Sequence, residues 1–379
     1  MSGIYLHIPF CKQACSYCDF YFVTRQHQQG EFVHALVDEI QSKKDSRFLH
    51  DPINTIYFGG GTPSLLSARQ IETILKAIDE VFELDLKEVT IELNPDDVSR
   101  EYLSDIRALG INRASMGVQT FDEELLKFMH RAHNQEEALN SLKLLSENGF
   151  NTFTVDLIYG NPAQSAEMLK RDLEILTSFN PPHVSAYSLT IEDGTRLGKQ
   201  VDLGRIAPPE DDEVARHFDL VYSSLETSGI LQYEVSNFAK PGSEAMHNSA
   251  YWEHKNYLGF GPAAHSFWWD EDQQSAKRWN NKRDLKSYLE GDWKLENDVD
   301  QLNLSQLAEE RIMLALRTKA GISNEELLSR YEFKFSEKQR AYLEEKKKQQ
   351  MVEVNNNTIS LTKEGLKIAD LILLDLVTA

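Results

Sequence analysis

The stretch Cys11-Lys-Gln-Ala-Cys15-Ser-Tyr-Cys18 constrains this chain more than any other, because it gathers three thiols into one short loop with the spacing C-x3-C-x2-C. They are the only cysteines among 379 residues, so no thiol is placed elsewhere. Thiolates at this spacing can hold three irons of a cubane cluster, which leaves a fourth iron open to an outside ligand. Three other readings share the motif. A structural zinc would need a fourth ligand, for which His7 is placed. A disulfide would leave one cysteine odd and would need an oxidising compartment. The three could also be buried as small apolar side chains.

Short β-rich runs recur along the first half, at Ile4–Ile8, Thr55–Phe58, Val89–Leu93, Arg113–Val118, Phe153–Ile158 and Val184–Leu189. Each is followed by a helical pattern: Glu31–Lys44, Ser67–Phe82, Arg100–Leu109, Asp122–His130 with Gln135–Asn148, Glu167–Ser178, and Asp211–Thr227. Alternating βα units predict a parallel sheet covered by helices. Periodicity alone leaves an open doubly wound sheet and a βα barrel undivided. In either, function gathers at the C-terminal ends of the strands. Those ends carry the cysteine loop, Gly59-Gly-Gly61-Thr62-Pro63, Glu92-Leu-Asn-Pro95, Gly117-Val-Gln119-Thr120, and Tyr159-Gly-Asn-Pro162 after Asp156. A glycine triplet lets backbone approach a ligand closely. It is not a P-loop, since no Gly-Lys-Ser/Thr follows. Asp156, between Val155 and Leu157, needs partners if buried.

From Tyr5-Leu-His-Ile-Pro-Phe-Cys11 through Cys18-Asp-Phe20 the chain resembles the radical SAM proteins. Within them it is similar to the branch of oxygen-independent coproporphyrinogen III dehydrogenases and HemW-type heme chaperones. The resemblance implies an α/β fold, a partial (β/α)6 barrel. It implies a [4Fe-4S] cluster on Cys11, Cys15 and Cys18, with S-adenosylmethionine (SAM) chelating the open iron. By their local motifs, Tyr5, Tyr17, Gly60, Gly61, Thr62, Glu92, Gln119, Arg131 and Asp156 are carried over as the SAM- and cluster-facing residues. Arg131, in His130-Arg-Ala-His133, would offer a bidentate contact to a carboxylate. For each polar residue a plain salt bridge is the alternative.

The second half opens with Tyr233-Glu-Val-Ser-Asn-Phe-Ala239 and runs through His247-Asn-Ser-Ala-Tyr251-Trp252 to Tyr257-Leu-Gly259-Phe-Gly261-Pro-Ala-Ala264-His265. This block resembles the HemW branch. Through the resemblance His247 becomes a heme-iron ligand, with Tyr251 and Trp252 stacking on a porphyrin. His254 and His265 are further candidates, and packing against the barrel's open side is the alternative. Gly259-x-Gly261-x-x-Ala264 looks like a dinucleotide fingerprint but follows no strand of a βαβ unit. The porphyrinogen dehydrogenases resemble C-x3-C-x2-C-x-C, and Phe20 stands where their further cysteine would be. The implied function is therefore a heme chaperone that passes heme to client hemoproteins, some of them at a membrane. The rival is radical decarboxylation of coproporphyrinogen III, and a third is another radical SAM activity such as methyl transfer.

The domain expectation is a barrel over 1–230, a motif region and connector over 231–300, and a small winged-helix-like domain over 301–379. The last rests on helices Leu304–Arg317, Asn324–Arg330 and Glu337–Gln349, β-runs around Asn355–Asn357, and a helix from Thr362. A winged helix suggests DNA, but a formal net charge of −20 argues against any nucleic-acid partner. No signal-peptide pattern opens the chain and no apolar run reaches the ~20 residues of a membrane span. With free cysteines, the expectation is a cytoplasmic protein. A homodimer is an open expectation.

Overall fold

The computed structural model describes residues 2–44, 46, 48, 51–270, 272 and 274–378. Chain order begins β1 (Ser2–Ile8), α1 (Gln29–Gln41), β2 (Ile53–Gly60), α2 (Ala68–Asp79), β3 (Leu84–Leu93), α3 (Arg100–Ala108) and β4 (Arg113–Gln119). It continues with α4 (Glu123–Phe128), α5 (Gln135–Glu147), β5 (Thr152–Tyr159), α6 (Ala166–Ser178), β6 (His183–Ser188), α7 (Arg196–Asp202) and α8 (Asp211–Thr227). The helices form where apolar residues recur at helical spacing behind a cap. In α2, Ile71, Ile74 and Ile78 are buried, and the Ser67 side chain and Gln70 close a capping box.

Strands β1 to β6 pair in parallel and in sequence order. A doubly wound sheet reverses its strand order at a switch point; an unreversed order is the winding of a barrel. The structure thus decides what periodicity left open, in favour of the partial barrel.

The sheet does not stop at six strands. After β7 (Leu231–Gln232), β8 (Asn237–Ala239) and α9 (Met246–Trp252), strand β9 (Asn256–Phe260) adds in parallel beside β1. Antiparallel strands β10 (His265–Asp270), β11 (Ser275–Asn280) and, beyond α10 (Leu285–Leu289), β12 (Asn297–Leu302) extend that edge. Strands β8 and β7 extend the other, giving a sheet of twelve strands among the described residues. Residues 270–300 therefore do more than connect. They contain the short helix α10, but their strands carry the barrel sheet onward, and Trp279, like Trp268 of β10, packs against Phe48 on one face.

The glycines of the fingerprint-like stretch serve close packing instead. Gly261 has φ +97°, and a Cβ there would run into the carbonyl of His7 on β1. Its N–H donates to the buried Glu39 carboxylate (2.9 Å), which also accepts from Asn281 (2.7 Å) and Tyr288 (2.6 Å).

The C-terminal unit comprises α11 (Leu304–Ala315), β13 (Ile322–Ser323), α12 (Asn324–Tyr331), α13 (Glu337–Lys348), β14 (Val352–Asn355), β15 (Thr358–Leu361), α14 (Lys363–Lys367) and α15 (Ala369–Thr378). The two β-runs expected around Asn355–Asn357 are β14 and β15, which pair antiparallel across a tight turn. Asn356 and Asn357 have φ of 47° and 70°, as a two-residue hairpin turn requires. No helix among the described residues is long and apolar enough to cross a membrane.

Candidate cluster and cofactor site

The loop after β1 is held from several sides before any ligand arrives. Cys11 N–H donates to Val23 O (3.0 Å), Ser16 N–H to Met129 O (3.0 Å), and Leu197 N–H to Ser16 O (2.7 Å). Lys12 pairs with Asp96 (2.8 Å) and with Asp97, beyond the end of β3. The three thiols are half-buried and free. Burial pushes the Cys11 thiol up to about 12 and the Cys18 thiol up to about 11. Thr62 Oγ1 sits 3.5 Å from Cys11 Sγ, and an Arg131 guanidinium nitrogen 3.4 Å from Cys15 Sγ.

Below this loop a cavity of about 450 Å³ runs from the C-terminal ends of β1 to β6 down into the barrel, as far as Arg113 at the start of β4 and Asn248 of α9. Inward alternation along each strand supplies its walls. Tyr57 donates to Glu92 (2.8 Å), whose other oxygen accepts the N–H of Gly60 (3.2 Å). Burial, then Asp156, pushes Glu92 up to about 8. Asp156 accepts from Ser115 (3.2 Å to each oxygen) and from Ser185, and burial pushes it up to about 6. Arg131 donates to Asn94 Oδ1 and Gly117 O (both 2.8 Å), with Tyr17 at 3.5 Å, while its buried Nε has no partner. Gln119 closes β4 at φ +66°, where the register with β5 shifts.

Most of the expected residues therefore meet here: Cys11, Cys15, Cys18, Tyr17, Gly60, Gly61, Thr62, Glu92, Gln119, Arg131 and Asp156 all line the cavity. Tyr5 does not. It stacks on Tyr57 at the cavity's margin (centroids 6.0 Å apart) and faces a second concavity over β1 and β9. The supporting residues Tyr57, Asn94, Arg113, Ser115 and Ser185 were missed, although Tyr57 and Ser115 sit on the same inward alternation as the residues they hold.

The zinc reading does not fit. His7 Nε2 lies 2.8 Å from Tyr21 O and its Nδ1 3.3 Å from the Tyr5 hydroxyl. Among the described residues no three His, Cys, Asp or Glu side chains converge on one metal ion. A cubane asks for something else, one thiolate per iron around a bulky cluster. Gly61 lets the end of β2 pack directly on this loop and keeps a side chain off the Cys11 thiol: a Cβ there would lie 2.7 Å from Phe10 O, 2.9 Å from Ile8 O and 3.1 Å from Cys11 Sγ. Three thiols, a side-chain-free rim and an unsatisfied arginine nitrogen fit a cluster and an anionic cofactor group.

The heme expectation for His247 needs correction. Its helix, α9, plugs the opposite end of the barrel. His247 is 2% exposed, with Nδ1 2.8 Å from Thr55 Oγ1 and Nε2 2.9 Å from the Tyr251 hydroxyl. Both ring nitrogens are engaged, so neither is open to iron. Tyr251 does line the second concavity, but Trp252 lines neither, and its carbonyl accepts from Arg311 (2.8 Å). His247→Ala should cost about 3 kcal/mol, from the void and two orphaned hydroxyls, read as a urea-midpoint shift at unchanged slope. A variant as stable as wild type would contradict the plug.

Comparison with known proteins agrees with this geometry. The radical SAM superfamily matches residues 5–176, and the HemN C-terminal domain matches 302–368. The chain is 35% identical to the heme chaperone HemW of Lactococcus lactis, over 97% of this chain and 95% of that protein. It is 35% identical to the Bacillus subtilis heme chaperone HemW, over 87% of each. Coproporphyrinogen III oxidase (HemN) of Escherichia coli, a radical SAM enzyme, superposes with a TM-score of 0.82 at 23% identity, over 98% of this chain and 89% of that one, a likeness of fold. The cysteine loop over a six-unit parallel barrel and the near-complete overlap with two such relatives lead to one assignment: the chain belongs to the HemW family of the radical SAM superfamily.

Proposed function

We propose that this protein is a heme chaperone that carries a [4Fe-4S] cluster on Cys11, Cys15 and Cys18, binds SAM in the cavity below them, and passes heme to client hemoproteins. The observation that carries the cofactor part is the convergence of the cysteine loop, the Gly60–Thr62 rim and the Glu92, Asp156 and Arg131 side chains on one cavity. The heme part rests on the HemW relatives. When bound, the cluster supplies an open iron and one-electron chemistry to SAM. The chain's own residues would do the rest. Glu92 and Asp156 would receive the cationic methionyl and ribose groups, and Arg131 a carboxylate.

The test is an anaerobic titration of cluster-reconstituted protein with heme, followed by mixing with an apo-hemoprotein. A saturable Soret shift that moves to the acceptor supports the reading. Absence of binding, with decarboxylated product from coproporphyrinogen III, would replace it with the enzyme reading.

SAM binding should also depend on pH. Glu92 is protonated below about 8 in the empty site, and a cationic ligand favours its carboxylate, so binding would release a proton. Affinity should rise with pH toward 8, by up to about tenfold per unit, and level off above it. Glu92→Gln should flatten that slope in calorimetric titrations. An affinity independent of pH between 6 and 8 would remove Glu92 from the contact.

A further inference from the structure

The second concavity, about 580 Å³, lies across β1, β9, β10 and β11 on the other side of the cysteine loop from β2. We propose that heme docks here, not in the cavity below the cysteines, with His265 as its iron ligand. This rests on the heme reading above and adds where the macrocycle sits.

The floor suits a flat, apolar ring. Gly3, Tyr257, Phe267 and Arg278 pair laterally across four strands, so they form one row on the sheet. Tyr257 and Phe267 lie nearly parallel, 25° apart with centroids at 6.2 Å. Gly259, opposite Tyr5, adds no side chain to this face. The volume falls within the roughly 300–1,000 Å³ of small-molecule sites.

The rim suits two carboxylates. Lys255, Arg278 and Arg283 line the concavity against one acid, Asp19, in a chain whose net charge is −20. Arg278 is anchored on Glu310 (2.6 Å) and Arg283 on the Asp19 carbonyl (2.6 Å). A guanidinium carries five N–H donors, so each arginine keeps donors for a propionate.

Three histidines line the site, and their partners separate them. His7 is held by Tyr21 and Tyr5. His254 is buried, stacked on Phe267, 3.2 Å from the Tyr331 hydroxyl and 3.3 Å from Glu310. His265 is exposed at the mouth, and among the described residues its ring holds no hydrogen bond or ion pair. Partial burial, with Arg278 and Arg283 nearby, lowers its pKa, which keeps the imidazole neutral for iron at pH 7. Asp19 and Phe20 line both cavities, and Phe20 is 69% exposed. A macrocycle seated over β9 and β10 would therefore border the cluster loop and cover an otherwise bare phenyl ring.

The test titrates hemin into full-length wild type, His265→Ala, His265→Met and the double variant Arg278→Ala/Arg283→Ala. Wild type should give a saturable Soret shift. His265→Ala should bind about tenfold or more weakly, with a displaced band that added imidazole restores, and His265→Met should give a third band position. The double variant should weaken binding without moving the band. His265 is exposed, so an unchanged melting temperature is expected. Wild-type affinity and band in both His265 variants would overturn the placement while leaving heme binding intact. No saturable binding by wild type would overturn the heme reading itself, and the placement with it.

Discussion

Serine at Cys11, Cys15 or Cys18 should leave the anaerobically reconstituted protein with under about a tenth of the wild-type iron and sulfide, since each thiolate would hold a different iron of the cluster. The fold should survive. The loop is tied by backbone bonds at Cys11, Ser16 and Val23, and by Lys12 to Asp96, none of which uses a thiol. Circular dichroism should be unchanged while the visible absorption of the cluster disappears. The raised thiol pKa values of Cys11 and Cys18 add a second readout, because assembly must strip those protons. Cluster uptake should therefore release protons and slow at low pH. Three buried apolar cysteines would instead give variants with unchanged iron. A zinc site would give wild type that takes up one zinc per chain and no sulfide. Either result would remove the cluster.

The six βα units were legible because each strand is a short apolar run with a helical pattern behind it; their closure into a partial barrel was not, since it shows only in the unreversed strand order. The site was legible where polar residues and glycines stand at strand ends, which is where parallel βα folds put chemistry. What escaped was set by tertiary packing. Strands β11 and β12 read as a connector because Lys277, Arg278, Asp298 and Asp300 interrupt any apolar alternation. They are strands because they lie at an edge where one face meets water. His247 read as a heme ligand because His-Asn-Ser-Ala-Tyr-Trp has the same composition whether it faces a porphyrin or a core. Only the placement of α9 beneath the barrel shows Thr55 and Tyr251 on its two nitrogens. Tyr5, carried over as a SAM- and cluster-facing residue, lines the neighbouring concavity instead, because β9 lies beside β1 as a further parallel strand that no apolar run announced.

That plug is where the second large effect is expected. Arg113, 3% exposed at the start of β4, lies 3.7 Å from the buried Glu88 of β3 and donates to Thr154 (3.3 Å) and to the carbonyl of Ser243 (3.2 Å). The Glu88 carboxylate in turn accepts the N–H groups of Met246 and His247 (2.9 and 3.0 Å), the first turn of α9. One ion pair thus fixes the helix that closes the barrel below the cofactor cavity. Arg113→Met removes the cation and leaves a carboxylate buried without its partner, so it should cost about 3–5 kcal/mol in urea unfolding. Arg113→Met combined with Glu88→Leu removes both charges and should be less destabilised than the sum of the two single changes, a coupling that a double-mutant cycle reads directly. SAM affinity should fall in the single variant as well, since Arg113 also lines the cavity. A loss below about 1 kcal/mol for Arg113→Met, or strict additivity in the cycle, would mean that water reaches the pair and that α9 is held in place by its apolar contacts alone.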